Sequence, residues 1–507
     1  MESATLTRPR SGHIWLARLR AVPPAAWAKL GLLIVSVGAL IGFFLFPTYP
    51  TYDSYYALIW GRDVLHLHLP VFAVYRAPTE HPLAIAFGVL VSIFGHYADR
   101  LMILGAIGCF VALVAGMYRL GRIAFGPVVG ATAALLLLSR VHYAYLAAQG
   151  YLDFAYMALV VWAGALEAAR PRRGSVVFGL LALAGLLRPE AWLLSGIYFL
   201  WCAVPAPKDW RARARDLALT VAGPVLWALT DLIVTGDPTY SLHSTTDLAD
   251  ALGRTQGISN LPASTWHFAV QLDQIPLVIA GLLGVIIAIA LVPKRILVPL
   301  VLLTSGLIAF AGIGASGGSV INRYLLTPSV VLMLFGAVAV GGWSLLEPGH
   351  WLRRIWIVAA LLGVCYGVVS AASSLSLTNV RYDLAFRNVT HDALSRVLRN
   401  PTVRADLKTC GPLSLPNHKL APDARWILDV GPSSVVARSE ARSDADAGDD
   451  ALRDRIARGG VAIYPTGDAV FTDAIVDVDD NPLDEDPLPG YRRLLTSSYY
   501  AVYVRCP

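Results

Sequence analysis

The chain has 507 residues, of which 56% are hydrophobic and only 15% are charged, and its mean hydropathy is +0.57. These values exclude an ordinary soluble enzyme and are typical of polytopic membrane proteins. The formal charge of +6 does not indicate a nucleic-acid partner, because the basic residues cluster in short loops between apolar runs, as orientation signals do.

Eleven apolar runs are long enough to predict membrane-spanning helices. The first has no small-residue cleavage site after it, so we interpret it as a retained span that follows a cytoplasmic N-terminus, residues 1–27. A twelfth apolar segment, residues 82–95, is ambiguous in length. The eleven runs lie near residues 28–46, 101–118, 123–139, 153–168, 175–187, 189–204, 217–235, 276–292, 297–314, 325–343 and 355–373.

The positive-inside rule resolves the ambiguity at residues 82–95. If this segment does not cross the bilayer, the arginines and lysines of the short loops all fall on the cytoplasmic side, whereas if it crosses, most of them face outward. We therefore expect residues 82–95 to form a juxtamembrane or re-entrant helix in a first extracytoplasmic loop, residues 47–99. The N-terminus is then cytoplasmic and the C-terminus extracytoplasmic.

The stretch from Tyr49 to Pro82 follows the first run but is rich in acids, histidines and aromatics. Apolar and aromatic residues recur at helical spacing after Asp53, which predicts an amphipathic interfacial helix with Asp53 near its N-cap. Two interpretations stay open on this pattern alone. Asp53 and the Glu80-His81-Pro82 step are either parts of a functional site, or simply the starts of two helices.

Residues 376–507 differ sharply in composition from the rest and predict a small extracytoplasmic α/β domain. The segment from Asp383 to Leu407 has the pattern of an amphipathic helix, and the acidic run 441–450 is typical of a solvated loop or a locally disordered insert. The short strands predicted here are RWILDV, SVVAR, GVAIYP, AIVDV and YYAVYVR.

Two of the five cysteines, Cys410 and Cys506, lie in this outward-facing domain, and the other three lie in apolar runs. Because the extracytoplasmic side is oxidising, the two are predicted to form a disulfide. No zinc-ligand spacing or phosphate-binding loop occurs anywhere in the chain.

Ionisable residues stand at the starts of several other apolar runs, where they are costly and need a reason. Each one alone could be an interfacial residue that pairs locally. Their clustering on the predicted outer side, together with Asp53 and Glu80, instead indicates a site. These residues are Asp153 in YLDFAYM, Arg188 and Glu190 in LLRPEAW, and Arg323 with Tyr324 in INRYLLTP.

These short motifs, in this order, resemble the GT-C superfamily of membrane glycosyltransferases. The similarity is to the branch with lipid A aminoarabinose transferases and protein O-mannosyltransferases, and it covers roughly residues 28–345. His81 stands where the aminoarabinose enzymes tend to have lysine, and the C-terminal domain has no close match to theirs. The arginine-rich composition is typical of an actinobacterial cell-envelope enzyme.

The resemblance implies a GT-C-like transmembrane domain, residues 28–375, that moves a hexose or pentose from a polyprenyl phosphate to an acceptor hydroxyl. The acceptor is a cell-envelope glycan, a glycolipid or a glycoprotein at the outer face of the cytoplasmic membrane. A carboxylate can take the hydroxyl proton, and guanidinium groups suit the leaving phosphate. We therefore predict Asp53 as the base, with Glu80 and Asp153 as further catalytic residues, and Arg188 and Arg323 as the phosphate ligands.

Several neighbouring side chains are predicted to bind the sugar or the acceptor. Glu80 with His81 could hold a divalent ion, but a donor that carries one phosphate needs no metal, so we expect no required cofactor. The predicted substrate-binding residues are Tyr52, Tyr55, His81, Glu190 and Tyr324.

A flippase or transporter of lipid-linked glycans is the competing function, because it too would have polar residues at membrane depth. Transporters usually show internal repeats with interrupted helices at matching positions, and the sequence shows none. A purely structural membrane subunit does not explain acids and arginines gathered on one face.

Overall fold

A computed structural model describes residues 23–204, 209–374, 377–466 and 487–506. The chain divides into two units, residues 1–45 and residues 46–507, and the described part of the first is the apolar helix Pro24–Leu45. Most of the predicted cytoplasmic N-terminus, Lys208 and the predicted strand AIVDV lie outside the described residues.

The second unit is mainly helical. Some of its helices lie within the predicted apolar runs, and others lie in the segments between those runs. The helices before the C-terminal domain are Tyr52–Leu65, Pro82–Ser92, Ala98–Phe125, Pro127–Ser139, Val141–Ala148, Asp153–Ala169, Ser175–Gly185, Glu190–Ala203, Trp210–Thr235, Tyr240–Ala251, Leu261–Leu291, Leu297–Ala315, Leu326–Gly341 and Trp351–Ser374.

Seven helices in the described residues are long and apolar enough to cross a membrane, and an eighth span results if the bent pair Pro127–Ser139 and Val141–Ala148 counts as one. The prediction of a polytopic helical protein is confirmed, but the count of eleven spans is not. The difference comes from short helices such as Ser175–Gly185, whose 11 residues rise only about 16 Å against the ~30 Å of the hydrocarbon core.

Helix Pro82–Ser92 also has 11 residues, so at ~1.5 Å per residue it is too short to cross a bilayer in a straight line.

Leu261–Leu291 has two helical pieces that meet at Gln274, where φ is +65°, two residues before Pro276. Proline lacks the backbone N–H that a continuous helix needs, which explains a break at this position.

Helix Tyr52–Leu65, whose amphipathic pattern predicts a helix in the membrane interface, is packed inside the protein along its middle. Every residue from Ser54 to Gly61 is buried. Gly61 and Gly88 bring this helix into backbone contact with Pro82–Ser92, since a Cβ on Gly61 would lie 2.4 Å from the Gly88 carbonyl carbon. The N-cap of the helix is Thr51, and Asp53 stands in the first turn instead, where the helix dipole favours a carboxylate.

Among the residues that the structure describes, the C-terminal domain is a five-stranded sheet with helices, an α/β arrangement as the sequence predicts. The strands are β1 Leu413–Leu415, β2 Val435–Ala437, β3 Gly460–Pro465, β4 Arg492–Thr496 and β5 Tyr500–Arg505. Their order in the sheet is β2-β1-β3-β5-β4, and β3 is in the middle and fully buried. Strand β1 pairs in parallel with β2 and β3, and β5 pairs antiparallel with β3 and β4. The helices of the domain are Leu377–Leu398, Pro401–Thr409, Ala421–Leu428, Arg438–Asp446 and Ala451–Arg458.

Two local predictions for this domain are wrong. The segment RWILDV belongs mainly to helix Ala421–Leu428, because its apolar side packs into the domain core while its polar side contacts helix Tyr52–Leu65. The acidic run 441–450 is not all loop, since its first half continues helix Arg438–Asp446, whose Ala441 is buried against Ile456.

Arg62 connects the C-terminal domain to helix Tyr52–Leu65. Its guanidinium forms an ion pair with Asp429 at 2.9 Å, donates to the carbonyl of Trp426 at 3.3 Å and lies 4.8 Å from the centroid of the Trp426 ring. This contact places the domain beside the last turn of the helix that carries Asp53 in its first turn.

Cys410 and Cys506 form a disulfide in the structure, with Cα atoms 4.3 Å apart. We predict that protein taken from the native membrane contains this bond, because the domain is expected to face an oxidising compartment. Peptide mapping without reductant should recover one linked pair. Free thiols at both positions would contradict both the bond and the outward orientation.

The orientation of the chain is a second prediction to test. A cysteine placed at exposed Ser433, in a protein without the other free thiols, should react with an impermeant reagent applied to whole cells. A cysteine at exposed Arg172 should react only after the membrane is opened. The opposite pattern would mean that the segment 82–95 crosses the membrane.

Candidate active site

A cavity of about 810 Å³ lies where several helix starts meet the C-terminal domain. Asp53 is in the first turn of Tyr52–Leu65, Glu190 is the first residue of its helix, and Arg323 stands in the short turn Asn322–Leu325 before Leu326–Gly341. Helix starts carry a partial positive charge and free N–H groups, which suits bound carboxylates and phosphates. The volume lies within the range of small-molecule binding sites.

A chain of charged side chains forms one wall of this cavity. The Arg323 guanidinium donates to the Asp53 carboxylate at 2.6 Å and to the Asp153 carboxylate at 3.1 Å. Arg188 donates to the other oxygen of Asp153 and to Glu190, the latter at 3.1 Å. Two guanidinium groups and three carboxylates therefore form one alternating network.

The network is largely shielded from water, which strengthens its internal interactions. Asp153 is only 2% exposed and joins the two arginines from behind. The side chains of Asp53 and Arg323 retain 21% and 28% exposure and lie on the cavity side. The Asp53–Arg323 pair is thus the most exposed part of the network.

Aromatic rings support both arginines. The Arg188 guanidinium carbon lies 5.2 Å from the centroid of Tyr324 and 5.8 Å from that of Tyr156, and that of Arg323 lies 5.1 Å from Tyr151. Burial lowers the pKa of Arg188, but the Asp153 and Glu190 carboxylates outweigh it, so the pKa lies above its ordinary value. Arg188 therefore stays charged.

His81 lies on the cavity wall close to this network. Burial, with help from Arg188, lowers its pKa to about 4, so the imidazole is neutral at pH 7. Its ring stands edge to face with Trp227, with centroids 5.8 Å apart, and its Nδ1 has no hydrogen-bond partner in the described part of the chain. A neutral histidine can exchange hydrogen bonds with a sugar but cannot replace the positive charge of a lysine.

The structure brings most of the predicted site residues together. Tyr52, Asp53, His81, Arg188, Glu190, Arg323 and Tyr324 line the cavity. Tyr55 does not, because it is fully buried and its hydroxyl lies 3.3 Å from Nε2 of His391 in the C-terminal domain.

Glu80 also lies off the cavity, although it is adjacent to His81. It is 2% exposed, and burial raises its pKa to about 7, with Asp231 and Ser241 as neighbours. Its location makes it a weaker candidate for a base than Asp53.

Sequence reasoning missed several cavity residues. Arg76 and Arg254 come from the first loop and from the connection before Leu261–Leu291, and the C-terminal domain contributes Arg387, Lys419 and Asp423. The guanidinium carbon of Arg387 lies 4.2 Å from the centroid of the Tyr49 ring, and the guanidinium donates a hydrogen bond to the backbone carbonyl of Tyr49. The signal available in the sequence was the basic and acidic face of the helical stretch after residue 383, but nothing local relates that face to Asp53.

No protein-family model matches the chain, and no curated protein matches it in sequence. Solved structures do match. ArnT from Cupriavidus metallidurans in the apo state is 14% identical with a TM-score of 0.52, and the match covers 94% of this chain and 98% of ArnT. The same enzyme bound to undecaprenyl phosphate is 13% identical with a TM-score of 0.53, over 93% and 97% of the two chains.

The oligosaccharyltransferase of Archaeoglobus fulgidus, tethered to an acceptor peptide with the NVT sequon, is 12% identical with a TM-score of 0.53. That match covers 94% of this chain and 74% of the archaeal one. Both proteins are members of the GT-C superfamily. The resemblance that the short motifs predict is therefore confirmed at the level of the fold, which this chain shares with ArnT and with the archaeal oligosaccharyltransferase.

Proposed function

We propose that this protein is a glycosyltransferase that moves a sugar from a polyprenyl phosphate to an acceptor hydroxyl at the outer face of the membrane. The observation that carries the proposal is the network of Asp53, Arg323, Asp153, Arg188 and Glu190 on the wall of the large cavity. Such a network combines a carboxylate that can accept a proton with guanidinium groups that can bind a phosphate. The ArnT structure with undecaprenyl phosphate adds support, because a protein of the same fold binds such a lipid.

Asp53 is the proposed base. As the acceptor hydroxyl gives its proton to Asp53, its oxygen bonds to the anomeric carbon. The bond from that carbon to the phosphate oxygen breaks, and the polyprenyl phosphate leaves with the electron pair. The departing phosphate gains negative charge, which Arg323 and Arg188 stabilise more strongly in the transition state than in the bound donor.

The 2.6 Å contact between Arg323 and Asp53 suggests an order of binding. While Arg323 donates to Asp53, it occupies one oxygen of the carboxylate. A donor phosphate that accepts the same N–H would release Asp53 toward the acceptor. We therefore propose that the donor binds before the acceptor.

We propose that transfer requires no metal. The carboxylates of Asp53, Asp153 and Glu190 already accept hydrogen bonds from arginines, and these arginines can stabilise the phosphate charge themselves. Activity should therefore persist after treatment with EDTA. Loss of activity that returns with Mg²⁺ or Mn²⁺ would contradict this part of the proposal.

The function is tested with purified protein and synthetic polyprenyl phosphates that carry mannose, arabinofuranose, glucose or galactose. A transferase should consume one of these donors in the presence of cell-envelope acceptors and release polyprenyl phosphate. Movement of an intact lipid-linked glycan across vesicle membranes, without cleavage of the sugar, would support the flippase instead.

A further inference from the structure

A second cavity lies at the opposite end of the helices that carry the site. It has a volume of about 640 Å³ and is bounded by helices Asp153–Ala169, Ser175–Gly185, Glu190–Ala203 and Leu297–Ala315. From Asp153 to Glu167 the first of these helices rises about 21 Å, at ~1.5 Å per residue, so the charged ends of the two cavities lie roughly that far apart. Its walls are mostly aliphatic, with Leu181, Leu194, Ile197, Val301 and Leu302 among them.

Basic side chains surround one end of this second cavity. Lys294 and Arg295 line it from the exposed turn before Leu297–Ala315 and have no ion-pair partner among the residues that the structure describes. The guanidinium of Arg172 lies 4.3 Å from the centroid of Trp201, which also lines the cavity. On the predicted topology this end is at the cytoplasmic surface.

Glu167 is the acidic residue at this end, and its carboxylate is engaged with the protein. It accepts hydrogen bonds from the Tyr198 hydroxyl at 2.9 Å, from the indole of Trp201 at 2.8 Å and from the backbone N–H of Arg172 at 2.8 Å. Three cations and one such carboxylate leave an excess of positive charge at the opening.

The cavity also has exposed apolar side chains at its edge. Leu297 and Trp201, which both line it, keep 46% and 38% of their surface exposed. In a membrane such an aliphatic gap is filled by lipid chains, because water is excluded from the hydrocarbon core. Basic pockets between transmembrane helices at the cytoplasmic side bind anionic lipid headgroups.

We propose that this second cavity binds an anionic phospholipid. Its phosphate is held by Lys294 and Arg295, and one acyl chain occupies the space beside Leu194 and Val301. This site is separate from the proposed donor site and does not depend on the proposed glycosyl transfer.

The test compares phosphatidylglycerol with phosphatidylcholine on the purified full-length protein in neutral detergent, with binding measured by native mass spectrometry. We expect selective binding of phosphatidylglycerol, and the double variant Lys294→Gln/Arg295→Gln should weaken it by about tenfold or more. The matched control is Arg353→Gln/Arg354→Gln. These two arginines are also consecutive in the sequence, but they do not line the cavity, so the change should leave phospholipid binding unchanged.

A second variant tests the apolar half of the site. Val301→Trp adds bulk inside the cavity without altering charge, so it should also reduce binding of phosphatidylglycerol. Equal binding of the two phospholipids, or retention of binding in both variants, would overturn the proposal. Displacement of the bound phospholipid by stoichiometric polyprenyl phosphate would overturn it as well, since it would assign the site to the donor lipid.

Discussion

Asp53→Asn is expected to lower turnover by about 10²–10⁴-fold, because an amide cannot take the proton of the acceptor hydroxyl. Asparagine keeps the size of the side chain and can still accept a hydrogen bond from Arg323, which also keeps its contact with Asp153. The measurement is the rate of transfer from a defined polyprenyl-phosphate sugar to a defined acceptor, with donor binding followed separately.

The variant should remain folded. The Asp53–Arg323 pair is partly exposed, and the asparagine oxygen can still accept a hydrogen bond from Arg323, so no buried donor is left without a partner. A thermal unfolding curve close to that of the parent protein, with nearly intact donor binding, would separate a chemical role from a structural one.

Glu80→Gln is the matched control for this prediction. It makes the same acid-to-amide change at a neighbouring carboxylate that does not line the cavity, so it should affect turnover far less than Asp53→Asn. If Asp53→Asn instead keeps more than about a tenth of the parent turnover, the base lies elsewhere. Glu80 and then Asp153 would be the next candidates.

Arg323→Lys is expected to lower kcat/KM by about 10²–10³-fold and to weaken donor binding at the same time. The Arg323 guanidinium reaches two carboxylates at once, at 2.6 and 3.1 Å, and its planar fork suits a phosphate in the same way. Lysine keeps the charge but presents a compact ammonium, so it cannot reproduce this two-sided contact. Arg188→Lys should behave similarly, because Arg188 joins Asp153 to Glu190.

Arg254→Lys serves as the control for the arginine variants. Arg254 lines the same cavity, but its contact is with the Ser319 hydroxyl at 3.4 Å and not with the carboxylate network. We expect a much smaller loss for this change. A variant Arg323→Lys with normal donor affinity and a reduced rate would show that Arg323 positions Asp53 and does not bind the phosphate.

The proposed order of binding can be tested on the parent protein. If Arg323 releases Asp53 only when the donor phosphate arrives, the acceptor alone should bind weakly to the parent protein. Product inhibition patterns then distinguish ordered from random binding, and random binding would contradict the exchange of partners at Arg323.

Local sequence patterns predicted much of the architecture, because hydropathy and helix starts are properties of short segments. Strand Gly460–Pro465 was predicted with its observed bounds, and Asp153 and Glu190 begin helices as their motifs indicate. The order of these motifs was enough to predict the GT-C fold. Length was less informative, because an apolar run of a given composition forms either a spanning helix or a short buried one.

The local predictions fell short where one sequence pattern fits two different environments. The pattern of helix Tyr52–Leu65 fits a helix lying in a membrane interface, and it fits equally a helix whose polar residues contact another part of the protein. Only the packing of Arg62 against Trp426 and Asp429, more than 360 residues later in the chain, shows that its polar side contacts the C-terminal domain. For RWILDV, likewise, only the packing of Ile427 in the domain core shows that it is helical.

By itself, the sequence determined that this is a polytopic membrane protein with acids and arginines at its helix starts, since bilayer length and local charge decide these features. Which of these residues meet was decided by the tertiary structure alone. Arg323 forms hydrogen bonds with Asp53 and Asp153, which lie 270 and 170 positions away in the sequence. Glu80, by contrast, is next to His81 in the sequence but does not line the cavity. Such contacts depend on how distant helices cross, and no local pattern of residues contains that information.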